Sequence, residues 1–214
     1  EDSEPIVNGA NIIAGSLIKN LGGTIVPTGG YVVGESNLVE MACSRLTAPG
    51  IGSEGGVNFG LGRLILQGLF LSPQMVCESL NCADLFALVF SKLGFDVLPK
   101  AGLYRSDIIQ SIQLKDPLLM QIICQSLQST SPVDSFLNVL PSPMNGYSSN
   151  LIMSGGTFVE GSTSEFSADA PLREPYNLFV QGGTHISHAK IALIQLIFKL
   201  LKENLINKDF LNSF

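Results

Sequence analysis

Helical and extended patterns alternate along residues 72–205, and this alternation constrains the fold more than any other feature. Apolar residues recur at spacings of three and four from Val76 to Phe90, as on the buried face of a helix. Ser72-Pro73 predicts the start of that helix and Gly94 its end. The remaining elements predicted here are strands at 95–98 and 107–114, a helix opening at Asp116-Pro117, strands at 151–153, 157–159 and 177–180, and a helix over 187–205. This order predicts an α/β or α+β layer domain.

The first 72 residues have a different character, with small apolar residues and glycine pairs. Thr24–Val26 and Tyr31–Val33 read as short strands on either side of a turn. Ser36 predicts the N-cap of a helix that stops near Pro49. A glycine-rich stretch at 50–62 and a helical run at 63–71 complete this part.

Composition excludes several classes of protein. Of the 214 residues, 45% are hydrophobic and only 14% are charged, so the chain can build a core and bury surface against another subunit. The net charge of −6 and the absence of a basic cluster argue against a nucleic-acid partner. No run reaches the ~18 apolar residues that span a bilayer. We therefore expect neither nucleic acid nor membrane as a partner.

The N-terminus and the cysteines bear on location. The chain opens Glu1-Asp2-Ser3-Glu4-Pro5, which lacks the basic start of a signal peptide and has no initiating Met. We expect the sequence to begin inside a longer protein. Its four cysteines show no CxxC pair, which is typical of reduced thiols inside a cell. A cytoplasmic location is predicted, with an organelle left open.

Ser16-Leu17-Ile18-Lys19 offers two kinds of chemistry. An S-x-x-K is used by acyl-serine enzymes in which the lysine activates the serine, although the K-T-G that accompanies it there does not occur in this chain. Lys19 also stands alone among apolar residues, so we expect it to be partly withdrawn from water. Such an amine can form a Schiff base with an aldehyde cofactor. The third interpretation is a surface lysine at the end of an element.

Two further motifs carry weaker signals. Gly50–Gly55 has the form G-x-G-x-x-G, but it follows a predicted helix and Pro49 where a dinucleotide site needs a strand, so a glycine-rich loop is favoured. His185 and His188 lack a third ligand at suitable spacing. We predict that they are polar groups at the start of the last helix and that the chain binds no metal.

Nine short motifs are spread in order along nearly the whole chain. Those in the first half are Ala14-Gly15-Ser16-Leu17-Ile18-Lys19-Asn20, Pro27-Thr28-Gly29-Gly30-Tyr31, Arg45-Leu46-Thr47-Ala48-Pro49-Gly50-Ile51-Gly52 and Gln67-Gly68-Leu69-Phe70-Leu71. Those in the second half are Ser131-Pro132-Val133-Asp134-Ser135, Gly156-Thr157-Phe158-Val159, Ser167-Ala168-Asp169, Pro175-Tyr176 and Gln181-Gly182-Gly183. Together they resemble a family of pyridoxal-phosphate enzymes, the methionine gamma-lyase-like or aluminium-resistance proteins. Thr184-His185-Ile186 departs from that family's more usual Leu-Thr-Tyr.

The resemblance implies an α/β architecture of the fold-type I aminotransferase kind. Residues 1–72 would be the C-terminal part of the large domain that binds pyridoxal 5'-phosphate, with its linking helices, and residues 73–214 the small C-terminal domain. Lys19 falls where the family's Schiff-base lysine stands, and Ser16 would bind the cofactor phosphate. Arg173 is the candidate for the substrate carboxylate, with Arg45 and Arg63 as competing candidates.

The function implied by the resemblance is a carbon–sulfur lyase that acts on a sulfur-containing amino acid. Either methionine gamma-lyase or cystathionine beta-lyase chemistry is compatible with it, and a homodimer or homotetramer is expected. The family's ring-stacking aromatic and its pyridinium-pairing aspartate would lie before residue 1. A truncated or non-catalytic remnant of the family is therefore an alternative, and an acyl-serine enzyme using Ser16 and Lys19 is another.

Overall fold

The computed structural model describes residues 3–56 and 58–206. The chain divides into two compact units, Glu1–Ser72 and Pro73–Phe214, and each is described by itself. The assignment of residues 1–72 to the end of a cofactor-binding domain and of 73–214 to a small domain stays a prediction. None of the helices in the described part of the chain is both long enough and apolar enough to cross a membrane.

The first unit is built on a two-stranded antiparallel sheet. Strand β1 (Ile12–Ser16) pairs with β2 (Gly30–Gly34), with Ser16 opposite Gly30. Helix α1 (Ser36–Leu46) follows, so the predicted helix is confirmed, although Glu35 and not Ser36 is its N-cap. Short 3-10 helices lie at Asn20–Gly22 and Gly52–Glu54.

The strand predicted at Thr24–Val26 is wrong, whereas that at Tyr31–Val33 is confirmed as part of β2. Thr24 has a left-handed φ of 67°, and the amides of Ile25 and Val26 both donate to the carbonyl of Gly22. The backbone therefore turns at this point, and Val26 is buried as the anchor of a loop. The apolar pattern marked burial correctly but not conformation.

Helix α2 runs without a break from Gly62 to Lys92, with Pro73 inside it. The predicted boundary between two helices at Ser72-Pro73 is therefore wrong. Proline lacks the N–H that would reach the carbonyl of Leu69 one turn earlier. The Ser72 hydroxyl donates to that carbonyl at 3.0 Å instead, so the carbonyl is paired and the helix continues.

The second unit contains a five-stranded antiparallel sheet in the order β3-β4-β7-β6-β5. Its strands are β3 (Asp96–Leu98), β4 (Ile109–Gln113), β5 (Leu151–Gly155), β6 (Ser167–Pro171) and β7 (Asn177–Gln181). Helices α3 (Pro117–Gln128) and α4 (Ile186–Lys202) join the later turns of α2 in the core of this unit. Because the described strand pairs are antiparallel, the fold class is mixed α/β with antiparallel sheets.

Alternation along the strands decides which residues form this core. In β4 and β7, Ile112, Leu178 and Val180 are buried, while their neighbours in sequence are more exposed. The helices contribute large apolar side chains that are fully buried, namely Phe86, Phe90, Met120, Ile123, Leu127, Leu196 and Leu200. The core of the second unit is therefore a layer between one face of the sheet and its helices.

The segment 150–183 is the part where the predicted strands were least accurate. Leu151–Met153 and Asn177–Val180 are confirmed within β5 and β7, but Thr157–Val159 is irregular. Strand β6 was missed because Ser-Ala-Asp-Ala-Pro carries none of the large residues that favour strands. Its Ala168 and Ala170 are fully buried, since small side chains suit a central strand packed closely under helices.

Candidate functional site

Lys19 lies in the loop that joins the two strands of the first unit. It lies three residues after Ser16, the last residue of β1, and is the N-cap residue of the 3-10 helix Asn20–Gly22. Its side chain is exposed, whereas Leu17, Ile18 and Leu21 are half-buried. The expectation that the apolar neighbours withdraw Lys19 from water is therefore wrong, because the turn directs them inward and the lysine outward. Lys19 is therefore an exposed residue of the first unit.

Ser16 ends β1 and shares the turn with Lys19. Its half-buried Oγ accepts a hydrogen bond from the amide of Ile18 at 3.3 Å, which closes a local turn between the two residues. A hydroxyl that accepts one bond can still donate its own proton. The amide of Leu17 donates to the carbonyl of Gly29 at 2.9 Å, so the neck of the loop is closed. The structure thus brings Ser16 and Lys19 together at the end of one strand.

Tyr31 lies next to this turn and was not among the predicted site residues. It stands opposite Gly15 in the β1–β2 register. Its ring lies over Gly15 so closely that a Cβ there would come within 2.5 Å of the phenol oxygen. The signal was present in the sequence, since Gly15 and Tyr31 both belong to motifs of the family resemblance.

Arg173, the predicted ligand of a substrate carboxylate, belongs to the second unit. It lies in the turn between β6 and β7 and is exposed. Its amide donates to the carbonyl of Pro171 at 2.9 Å, and its carbonyl accepts from the amide of Tyr176 at 2.7 Å. The backbone is therefore fixed while the guanidinium reaches solvent. Ser16 and Lys19 belong to the first unit. That they share a site with Arg173 stays a prediction.

The two competing arginines are also exposed. Arg45 lies in the last turn of α1 and Arg63 in the first turns of α2. Arg45 lines a shallow groove of about 600 Å³ along one face of α1, together with Asn37, Glu40, Met41 and Ser44. Neither Ser16 nor Lys19 contributes to this groove. It is a feature of the helix surface and not an enclosed cavity.

The histidines have structural roles, in part as predicted. His185 is the N-cap of α4, and its Nδ1 accepts from the amide of Ser187 at 3.1 Å, which confirms it as a capping group. His188 instead donates from Nε2 to the carbonyl of Thr130 at 2.7 Å. Among residues 3–56 and 58–206, no three His, Cys, Asp or Glu side chains cluster as a metal site would require. That the protein binds no metal stays a prediction.

The cysteines divide into accessible and buried thiols. All four are free, with Cys77 exposed and Cys43 half-buried. Burial raises the pKa of Cys82 to about 12, with a further contribution from the charge of Glu78. Burial likewise raises the pKa of Cys124 to about 12, with Asp169 as the lesser cause. A nucleophilic cysteine needs the opposite shift, so Cys82 and Cys124 are not suited to that role.

Comparisons with known proteins find similarity along nearly the whole chain. A family model described as methionine gamma-lyase matches residues 1–201. The uncharacterised protein YnbB of Bacillus subtilis strain 168 is 42% identical over 206 residues, which cover 96% of this chain and 49% of YnbB. The chain thus spans about half the length of that relative.

Solved structures show the same relation. A carbon–sulfur lyase involved in aluminium resistance from Clostridium novyi NT is 45% identical, with a TM-score of 0.85 over 92% of this chain and 46% of that one. A protein from Clostridium acetobutylicum, provisionally named a cystathionine beta-lyase involved in aluminium resistance, is 44% identical, with a TM-score of 0.87 over 94% and 46% of the two chains. Both share the fold of this chain along nearly its whole length.

Proposed function

The chain belongs to the methionine gamma-lyase family, and from that premise we propose that the protein is a carbon–sulfur lyase that uses pyridoxal 5'-phosphate. The observation that carries the proposal is the turn at the end of β1, in which the exposed Lys19 stands three residues after Ser16. The fold-type I architecture is part of the same proposal. It is supported by the likeness to a structure named a carbon–sulfur lyase.

The residues of the turn suit the cofactor chemically. The exposed Lys19 provides the primary amine that holds an aldehyde covalently. The Ser16 hydroxyl provides a donor for a phosphate oxygen. The hydrogen bond that its oxygen accepts from the Ile18 amide orients the side chain. Relatives are about twice as long as this chain, and the proposal assigns the groups that hold the ring to residues beyond it.

Bound pyridoxal phosphate would supply an electron sink for a carbanion at the substrate Cα. The chain's own contribution would be proton transfer, because a free Lys19 amine can remove the Cα proton. The exposed guanidinium of Arg173 can bind both oxygens of an amino-acid carboxylate in one plane. We propose a sulfur-containing amino acid as substrate, with β- or γ-elimination of the sulfur group.

The proposal includes a cytoplasmic location and a homodimer or homotetramer. The oligomer is supported by the surface of the first unit, which exposes large apolar side chains on several elements. Soluble monomers seldom leave such surfaces uncovered.

The test is to map the cofactor on the full-length protein. After incubation with pyridoxal phosphate and borohydride reduction, we expect peptide mass spectrometry to find the cofactor on Lys19. Lys19→Ala should abolish the attachment, whereas Lys190→Ala, at an exposed position of α4, should retain it. Attachment at another lysine, or none in the unmodified sequence, would contradict the proposed function.

A further inference from the structure

We propose that Gly68, in the second turn of α2, is a positioning residue for Lys19. The backbone of the Lys19 loop rests directly on the backbone of α2 at this residue, and only glycine permits that approach. The geometry is independent of the cofactor, but the chemical role of Lys19 rests on the proposed function.

The contact joins two backbones and not two side chains. A Cβ on Gly68 would overlap the carbonyl oxygen of Gly22, and it would also come within 2.9 Å of a methyl group of Val26. A Cβ on Gly23 would in turn overlap the carbonyl oxygen of Gly68. Gly22, Gly23, Val26 and Gly68 are all buried. The loop and the helix therefore meet with no room for a side chain on either side.

Gly22 connects this contact to Lys19. Its amide donates to the carbonyl of Lys19 at 2.9 Å, and its own carbonyl accepts from the amides of Ile25 at 2.9 Å and Val26 at 3.2 Å. Lys19 is separated from Gly22 by one turn of 3-10 helix. A displacement of Gly22 therefore breaks bonds on both sides of it and moves the backbone that carries the lysine.

The choice of residue at position 68 supports a positioning role. Alanine forms helices better than glycine, so a glycine inside α2 needs a reason. The obstacle to a methyl group is chiefly the Gly22 carbonyl, and a backbone group cannot swing aside as a long side chain can. Gly68→Ala must therefore push the loop away from the helix.

The first readout is hydrogen exchange of the full-length protein without cofactor. We expect Gly68→Ala to speed exchange at the Gly22 amide at least tenfold, because its bond to the Lys19 carbonyl is lost. Gly62→Ala is the matched control, since it lies at the start of the same helix and a Cβ there meets no heavy atom within 4 Å. Equal exchange at Gly22 in both variants would overturn the proposal.

The second readout is the rate at which pyridoxal phosphate becomes borohydride-fixed to Lys19. We expect Gly68→Ala to lower this rate about 100-fold relative to Gly62→Ala, because misplacement of a reacting group by about 1 Å has effects of that size. If the unmodified sequence shows no attachment while Gly68→Ala still speeds hydrogen exchange at the Gly22 amide, the proposed function fails and the positioning contact stands. If Gly68→Ala speeds exchange at the Gly22 amide but leaves the rate of attachment at Lys19 unchanged, the positioning role is overturned.

Gly68→Ala could unfold the protein, and faster hydrogen exchange in β4 would reveal this. Val26→Ala is a second variant that tests the proposal in that case. It removes the side-chain part of the contact and keeps the backbone part. We expect exchange at Gly22 and attachment at Lys19 to stay within threefold of the unmodified sequence. A tenfold change in both would show that side-chain packing holds the loop, and would overturn the assignment to the Gly68 backbone.

Discussion

At the scale of single residues, the thiols give a direct test of burial. The pKa of Cys82 and that of Cys124 are both raised to about 12, chiefly by burial. At pH 8 we therefore expect a thiol reagent to label Cys77 and Cys43 and to leave the other two unlabelled until the protein is unfolded.

The same shifts set a direction for stability. A thiol with a folded-state pKa above its unfolded value contributes stability that is complete below pH 9 and is lost as the pH rises towards 12. Cys82→Ala should flatten this part of the pH profile of the free energy of unfolding. Prompt labelling of Cys82 or Cys124 at pH 8 in the native protein would contradict both expectations.

Arg173 can be separated from its competitors by kinetics. If it binds the substrate carboxylate in the full-length protein, Arg173→Ala should raise KM for amino-acid substrates and lower kcat/KM at least tenfold, a loss of about 1.4 kcal/mol. Attachment of the cofactor at Lys19 should be unchanged. Arg45→Ala and Arg63→Ala are matched controls because both arginines are also exposed. A greater loss in either control would move the role to that arginine.

The environment of Lys19 was not predictable from the motif that contains it. The structure places Ser16 at the end of β1 and Lys19 in the turn that follows, while their roles stay predictions. The exposure of Lys19 was not predictable from its apolar neighbours, because the direction of each side chain depends on the turn and not on composition. The contact of Gly68 with Gly22 joins residues 46 positions apart, and only the tertiary structure brings them together.

At the scale of elements, local signals succeeded where their partners are local. Asp116 caps α3 as predicted, and its carboxylate accepts from the amides of Leu118 and Leu119. The proline signal at Ser72-Pro73 failed because the Ser72 hydroxyl substitutes for the missing amide. Strand β6 was missed because its buried residues are alanines, whose burial depends on the helices that cover them.

The pair Ser72 and Pro73 can be tested by a double-mutant cycle. Ser72→Ala leaves the carbonyl of Leu69 without the donor that Ser72 supplies, so we expect it to lower the free energy of unfolding by about 1 kcal/mol. In the Pro73→Ala background the residue 73 amide can pair with that carbonyl, and the cost of Ser72→Ala should fall by at least half. The measurement is the urea midpoint at an unchanged m-value. Equal costs in the two backgrounds would show that the hydroxyl does not support the helix.

At the scale of the whole molecule, the two units differ in how they bury apolar surface. The second has a layered core of helices on a sheet. Among the described residues of the first unit, Val26 has the only buried apolar side chain, and many large apolar residues are exposed. The layered arrangement followed from the alternation of patterns, which left α/β and α+β both open. The uneven burial did not follow from it, because periodicity identifies an apolar face and not what covers it.

The 214 residues expressed alone should therefore self-associate. Leu66, Leu69 and Phe70 form an exposed stripe at helical spacing on α2, and Phe70 is 82% exposed. Such a surface promotes association when nothing covers it. We expect sedimentation velocity to find oligomers or aggregates, and a keto-acid assay with sulfur amino acids to find no turnover. Leu66→Gln with Phe70→Gln should shift the distribution towards monomer, whereas Leu98→Gln, an exposed position in the second unit, should not. A monomer that turns over a sulfur amino acid would show that these residues contain a complete active site, and would contradict the assignment of part of the cofactor cradle to residues beyond them.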